Sequence, residues 1–503
     1  MALRAQARRL TYLVHRWSGV AGCVLMLLWF VSGVTMLFVG YPKLTPGERL
    51  AGLPALDAQA CCPVPDGVRA ALAQGQAVLT SIGGQPHFVV REGAAPAAYP
   101  AQDAARPGAA GPAQALAEAA SRMPGAALRY GGMVQQDRWT HARGLDAHRP
   151  LHKVYWDGSG PHGPGRGTLY ISSATGQLVL DAPLSQQRWN YVGAWLHWLY
   201  FLGKGADGPL WSWTVIALSA LGTLAAASGM VVGLWRWRFR GRYKSGARTP
   251  YRQAWMRWHH WAGLLFGALV CTWIFSGLMS MNPLSVFAPG PGAARPDPAA
   301  YRGGGQPAPA GPLAEPRSVL RALQSQGFAA VELQWRRLDG RAYVLAYDAQ
   351  ARSRLVLPER AGLAVARQFQ PQDVLAAAQR AYGRAPVRSA VIARHDAYYY
   401  ERHPEAMNGA LVRGLPALRL DFDDAGRTRA YIDLRTGELA LSLSRAQRAG
   451  RWLFNFLHSW DLPAMLRAGP LRDLVLILLS LGGIAVSASA VVIGWRRLRG
   501  SGG

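Results

Sequence analysis

Four stretches of the chain stay apolar long enough to cross a hydrocarbon layer of about 30 Å: residues 12–38, 208–236, 258–282 and 470–495. None holds Asp, Glu, Lys or Arg away from its ends, so each predicts a transmembrane helix. The first follows Arg4, Arg8 and Arg9, as a signal peptide would, but is too long for one and shows no clear cleavage site. It is expected to be an uncleaved anchor. Between the first and second runs, and between the third and fourth, the pattern changes to the alternation of strands. Residues 168–172 and 178–179 read as a hairpin turning at Thr175-Gly176, residues 331–335 and 341–347 as strands, and residues 430–439 as a second hairpin turning at Thr436-Gly437. Residues 371–382 carry a helical pattern, while the Pro/Gly/Ala-rich tracts 93–113 and 288–316 predict loops. Aromatic stretches at 188–203 and 449–462 suit helices lying at a membrane interface, the first broken at Gly203-Lys204-Gly205.

The halves repeat one another. An offset of 244 carries His15, Trp17, Gly19, Trp29 and Ser32-Gly33 onto His259, Trp261, Gly263, Trp273 and Ser276-Gly277. An offset of 261 carries Tyr170-Ile171 onto Tyr431-Ile432, Leu196-His197 onto Leu457-His458, and Ser219, Gly222 and Gly233 onto Ser480, Gly483 and Gly494. Fixed offsets over such spans signal an internal repeat, and two spans per half make it a parallel one about an axis along the membrane normal. The expected fold is an integral membrane four-helix bundle from two parallel repeats, with two α+β domains outside it, 39–187 and 283–448.

Charge sets the orientation. Arg4, Arg8, Arg9 and Arg16 precede the first core; eight basic residues from Arg236 to Arg257 cover the 237–256 loop and its edges; Arg496, Arg497 and Arg499 follow the last span. Positive residues beside spans stay cytoplasmic, so both termini and the loop are expected inside and the two large segments outside. The net charge of +27 invites a nucleic-acid reading, but these topology markers are 15 of the 55 Lys and Arg, and no nucleic-acid partner is expected. Cys23 and Cys271 sit within spans, Cys61 and Cys62 are adjacent, and no CxxC or Cys/His array marks a zinc or iron–sulfur site.

Of twelve histidines, four occupy repeat-matched places: His15 and His259 at one mouth of the first and third helices, His197 and His458 on the interfacial segments. A twofold repeat makes each pair face itself, and two imidazoles from facing helices are a way to clamp a haem iron. Gly19 and Gly263, one turn on from His15 and His259, leave room for a flat macrocycle or another helix. His260 is the second-choice ligand, since it aligns with Arg16. Small residues such as Gly222, Gly229, Gly482 and Gly483 suit close helix packing. Two looser groups, His141/His148/His152/His162 and His395/Tyr398/Tyr399/Tyr400/His403, are weaker ligand candidates whose ordinary reading is structural. No nucleotide-binding glycine motif, phosphate loop, HExxH or nucleophile elbow occurs, so electrons must come from a separate cytoplasmic donor or a quinol.

The repeated His-Arg-Trp-Ser-Gly and His-His-Trp-Ala-Gly helix starts, the Thr175-Gly176 and Thr436-Gly437 hairpins, and the Leu-His pairs before each return helix resemble the PepSY-associated transmembrane proteins, often called iron-regulated or iron-uptake membrane proteins. The first hairpin departs from the usual pattern, with Ser172-Ser173 where the second has Asp433. The resemblance implies PepSY-like outer domains. It also implies kinship with inner-membrane ferric-siderophore reductases that bind haem b. On it rests the expectation of a bacterial inner-membrane protein holding two haems b on His15, His197, His259 and His458, facing the periplasm with its large segments, and reducing ferric iron or a ferric-siderophore there. The catalytic residues stay open. The alternative is a non-enzymatic PepSY sensor or scaffold binding a periplasmic partner; a transporter is disfavoured, because no charge lies at mid-membrane to couple ions.

Overall fold

The structure is a computed structural model describing residues 2–92, 95–102, 108–160, 163–202, 208–304, 314–360, 362–404, 406 and 411–500. Gly203-Lys204-Gly205 and His162 lie outside the described residues.

Four helices are long and apolar enough to cross a membrane: Ala2–Met36, Pro209–Arg236, Ala254–Ser280 and Pro470–Leu498. The first starts ten residues before the apolar run, since helix formation does not stop where hydrophobicity does; residues 2–11 are a polar extension. The first and third helices each pack on the second and fourth, so each faces the other across the bundle diagonal. Met26, Phe30, Ala225, Val270 and Ile274 fill the middle of the bundle with Trp29 and Trp273 against them. Close approach there needs small residues. A side chain at Gly222 would press on Ile274, one at Gly482 on Phe266 and one at Gly483 on Phe30.

The first outer segment supplies β1 (Ala77–Ile82), β2 (Gln85–Glu92), β3 (Ala95–Pro100), β4 (Ala127–Val134), β5 (Leu151–Gly160), β6 (Gly163–Ser172) and β7 (Leu178–Pro183). The second supplies β8 (Ala330–Leu338), β9 (Arg341–Asp348), β10 (Ser353–Glu359), β11 (Gly362–Ala366), β12 (Arg388–Ile392), β13 (Ala417–Asp421), β14 (Arg429–Asp433) and β15 (Glu438–Leu443). The order of elements is alike in both: a short helix, a group of antiparallel strands, a longer helix (Pro112–Arg122, Pro371–Tyr382) and a four-stranded meander, β4-β5-β6-β7 or β12-β13-β14-β15. Both expected hairpins are present as β6/β7 and β14/β15, turning through Gly176 (φ 77°) and Gly437 (φ 72°), a backbone region that favours glycine. The Ser172/Asp433 difference is neutral to the turn: Ser172 Oγ accepts from Thr175 N at 3.2 Å, and Asp433 Oδ1 accepts from Arg435 N at 2.8 Å.

Two expectations are corrected. Within the 93–113 tract, predicted as loop, residues 95–100 form β3; as the sheet's outermost strand it tolerates Pro96 and Pro100, whose nitrogens cannot donate to a ladder. More consequentially, 39–187 and 283–448 are not two separate domains. β1 pairs antiparallel with β8, joining Val78 to Gln334 and Leu79 to Leu333, so one seven-stranded sheet runs β11-β10-β9-β8-β1-β2-β3 across both segments. Its core is equally shared: Leu79, Phe88, Val68 and Leu72 from one segment pack with Leu333, Trp335, Val319 and Leu323 from the other. Full burial of each such side chain is worth about 1.5–3 kcal/mol, so the halves are held firmly together. Arg49 adds a bidentate ion pair to Glu332, at 2.5 and 2.9 Å.

Each meander leads straight back to the membrane. β7 runs into the helix Leu184–Asn190 and β15 into Arg445–Gly450, and each helix then widens into a π-turn, Tyr191–Trp195 and Arg451–Phe456. The interfacial segments are therefore broken helices, and each break sits immediately before a histidine, His197 or His458.

Candidate functional site

Two pairs of histidines face each other in the bundle. The ring centroids of His15 and His259 are 6.2 Å apart with planes inclined by 28°. Those of His197 and His458 are 6.0 Å apart with planes inclined by 71°. The first pair lies toward the basic loop, the second toward the sheets. From His15 to Ser32, which holds His197, the first helix rises about 25 Å, and the apolar layer around Met26 and Phe30 lies between.

Among the described residues each of the four rings bonds to protein through Nδ1. His15 Nδ1 lies 3.0 Å from Ala225 O, and at the 261-offset partner of that carbonyl His259 Nδ1 lies 3.2 Å from Val486 O, with Ser489 Oγ at 3.1 Å. His197 Nδ1 lies 3.0 Å from Ser32 Oγ, and His458 Nδ1 lies 3.0 Å from Ser276 Oγ. A carbonyl only accepts. The serine hydroxyls already donate within their own helices, Ser32 to Leu28 O at 2.6 Å, Ser276 to Trp273 O at 2.8 Å and Ser489 to Ala485 O at 2.8 Å. In all four rings Nδ1–H is therefore the donor, which leaves the Nε2 lone pair available. Ser32 and Ser276 are 0 % exposed, so water does not compete for these bonds.

This donor set fits a metal held between two imidazoles. Metal-bound histidine characteristically donates its other N–H to a fixed acceptor, which sets tautomer and ring direction. Two imidazoles on opposite sides of one iron, with bonds of about 2 Å, place their ring centroids roughly 6 Å apart. Both observed separations agree with that spacing. Beside the inner pair two positions are open: a side-chain carbon at Gly19 or Gly263 would meet nothing within 4 Å. Gly229 serves a different end, since a carbon there would come within 2.6 Å of His15 Cε1. Gly33 and Gly277 back the outer rings: a carbon added at Gly33 would lie 3.7 Å from His197 Cε1, and one at Gly277 3.9 Å from His458 Cε1.

The remaining histidines with resolved contacts are used structurally. His260, the second-choice ligand, is 5 % exposed and has both nitrogens engaged: Nε2 donates to Gly233 O at 2.9 Å, and Nδ1 accepts from Thr249 Oγ1 at 2.7 Å. It ties the basic loop to the second helix. His152 is likewise spent on Ala110 O and Tyr130, and His148 on Ser172. His141 pairs with Gln136, and His395 donates to Arg413 O. Tyr399 is buried and stacks on Tyr431 at 4.9 Å, a core role for that residue. Among the described residues no cluster of three or more His, Cys, Asp or Glu is arranged to hold a metal ion through protein alone. Cys61 and Cys62 are joined as a disulfide within the shared core.

The serine anchors were visible in the sequence as repeated Ser-Gly pairs, without a role. The carbonyls of Ala225 and Val486 carry no side-chain signal and emerge only from the fold. Compared with known proteins, the chain matches the family profile of the PepSY-associated TM region over residues 14–497. No curated protein matches it.

Proposed function

The chain belongs to the family of the PepSY-associated TM region, and from that premise we propose that it is a b-type haem protein of the bacterial cytoplasmic membrane that reduces ferric iron, siderophore-bound, on the periplasmic side. The observation that carries this reading is the shared anchoring: four repeat-matched histidines each bond to protein through Nδ1, in two facing pairs about 6 Å apart. His15 with His259, and His197 with His458, would each hold one haem. When bound, the haem supplies a reversible one-electron iron couple. The protein's own part is to fix the rings, through Ser32, Ser276 and the carbonyls of Ala225 and Val486, and to keep water out of the middle of the bundle with Met26, Phe30, Val270 and Ile274. A quinol or a reduced cytoplasmic carrier gives up the electron. The ferric substrate gains it and becomes ferrous, a form that hard oxygen chelators hold far less tightly.

Protein purified from a host supplied with haem should show a Soret band that shifts on dithionite reduction. Replacing His15 or His259 by Ala should remove the inner share of that band, and the double replacement should remove no more than either single one, because both serve one site. Absence of any Soret band overturns the reading and leaves a sensor or scaffold role. So would equal spectra in all four single histidine variants and the unaltered protein.

A further inference from the structure

The two four-stranded meanders correspond through their strand registers, yet one face of each carries different chemistry. At the 261 offset Arg166, Thr168 and Tyr170 correspond to Arg427, Arg429 and Tyr431. In the first meander Tyr170 lies opposite Lys153, Thr168 opposite Tyr155, and Tyr155 in turn opposite Arg129. In the second, Tyr431 lies opposite Arg419, Arg429 opposite Asp421, and Asp421 opposite Arg388. Tyr155 therefore stands where the second meander has Asp421. There the carboxylates answer the arginines: Asp421 lies 2.5 Å from Arg429 and 3.8 Å from Arg419, and Asp423 takes Arg427 at 2.8 Å.

In the first meander the tyrosine leaves one cation unanswered. Arg129 is exposed, and its Cζ lies 4.5 Å from the centre of the Tyr155 ring. Among the described residues it makes no hydrogen bond and pairs with no carboxylate, so its five N–H donors are available. Lys153, 5.6 Å from the same ring, is answered by Asp137 at 3.2 Å, and Arg166 by Asp157 at 2.8 Å. The Arg166–Asp157 pair is mostly exposed and so weak enough to share a donor with an incoming anion. Between these groups lies a pocket of about 390 Å³, lined by Arg129, Tyr155, Arg166, Thr168, Leu184 and Gln187, with Asp157 beside Arg166. That volume falls within the range of small-molecule sites, about 300–1,000 Å³. Gly131 leaves room for the ring, since a carbon there would come within 2.5 Å of Tyr155 Cε2. Gln187 Nε2 ties the far wall to the sheet, donating to Ala182 O at 2.7 Å and to Thr168 Oγ1 at 3.4 Å. It belongs to the helix Leu184–Asn190, ten residues ahead of His197, about 15 Å at helical rise.

We propose that this pocket is the docking site for the ferric substrate, and that the substrate is an anionic, carboxylate-bearing chelate. Arg129 takes a carboxylate through paired N–H donors, a geometry that a guanidinium fits and an ammonium does not. Tyr155 backs the guanidinium, and Gln187 and Thr168 give the polar wall. For the iron in the ligand the inference rests on the reductase reading above; the anion site itself does not. The second meander, with Asp421 in place of the tyrosine, repels such a ligand, so docking is one-sided in an otherwise repeated structure.

The test uses the full-length protein in lipid nanodiscs and two redox-inert gallium(III) complexes, the anionic citrate complex and the cationic desferrioxamine B complex, with binding read by isothermal titration calorimetry. The citrate complex should bind about tenfold more tightly than the cationic one. Arg129→Gln should remove that preference, and Arg129→Lys should keep part of it. Tyr155→Asp, which brings in the second meander's carboxylate, should remove it too, whereas Arg388→Gln, at the matched place in the other half, should leave it unchanged. Undiminished preference in Arg129→Gln, or none in the parent, overturns the docking site whatever the haem content. An equal loss in Arg388→Gln assigns the binding to net charge and overturns it as well. A protein that binds gallium citrate through Arg129 but shows no Soret band and reduces no ferric citrate keeps the anion site, while the haem reading and the ligand's role as a reductase substrate fall.

Discussion

Ser32 Oγ and His197 Nδ1 stand 3.0 Å apart, and the hydroxyl's proton is already committed to Leu28 O. The serine is thereby an acceptor for the ring, fixing its protonated face against the first helix. Ser276 does the same for His458 from the third. Ser32→Ala or Ser276→Ala should weaken haem binding at the outer pair by about 10- to 100-fold, the usual cost of losing such a partner. Equilibrium haem titration reads this directly. Wild-type affinity in both variants would mean that the serines do not orient the ligands.

The pairs differ in how their rings are turned. Inner planes are inclined by 28° and outer planes by 71°. Near-parallel imidazoles give low-spin ferric haem a rhombic electron paramagnetic resonance spectrum, and near-perpendicular ones give a strongly axial signal. Two distinct low-spin signals are expected, with the axial one lost in His197→Ala or His458→Ala and the rhombic one lost in His15→Ala or His259→Ala. A single signal type in haem-replete protein would contradict the geometry.

Gly19 and Gly263 separate folding from binding. Open space beside both means that a leucine there meets no protein atom close to its first carbon. Gly19→Leu and Gly263→Leu should therefore leave membrane insertion and thermal stability close to wild type while removing the inner absorbance. Gly229→Ala should differ, since its new carbon would press on the His15 ring, at a cost of about 1–3 kcal/mol from overpacking. Normal inner absorbance in Gly19→Leu would show that the space is not used.

The Arg49–Glu332 pair gives the outer region an acid limit. Burial alone would raise the Glu332 carboxyl, but the charge and hydrogen bonds of Arg49, with help from Gln334, outweigh it and hold the group below its ordinary value. The folded state then binds fewer protons than the unfolded one. The stabilisation is complete above the unfolded carboxylate value of about 4.3, and drains away as pH falls through the lowered folded value. Glu332→Gln strands Arg49 and, with that arginine partly exposed, should cost roughly 2–3 kcal/mol near neutral pH. Urea unfolding followed by Trp335 fluorescence, at neutral pH and below 4, should show the variant's deficit shrinking with acid. A deficit independent of pH would assign it to packing alone.

The bundle and its histidine pairs were legible because membrane spans and repeated residues are local signals, readable from apolar run length and fixed offsets. The β1–β8 joint was not, because Val78 and Gln334 are brought together by topology and neither strand's alternation names its partner. Nor were the broken interfacial helices, since a π-turn at Tyr191–Trp195 or Arg451–Phe456 leaves aromatic periodicity nearly intact.

The shared sheet has a consequence for the protein as two pieces. A chain divided within the basic loop would give one fragment with His15, His197 and β1–β7, and another with His259, His458 and β8–β15. Each fragment would carry two spans, one bare sheet edge and a single member of each histidine pair. Complementation between co-expressed fragments would rebuild both pairs at once, with the β1–β8 seam as the recognition surface, whereas either fragment alone would possess neither.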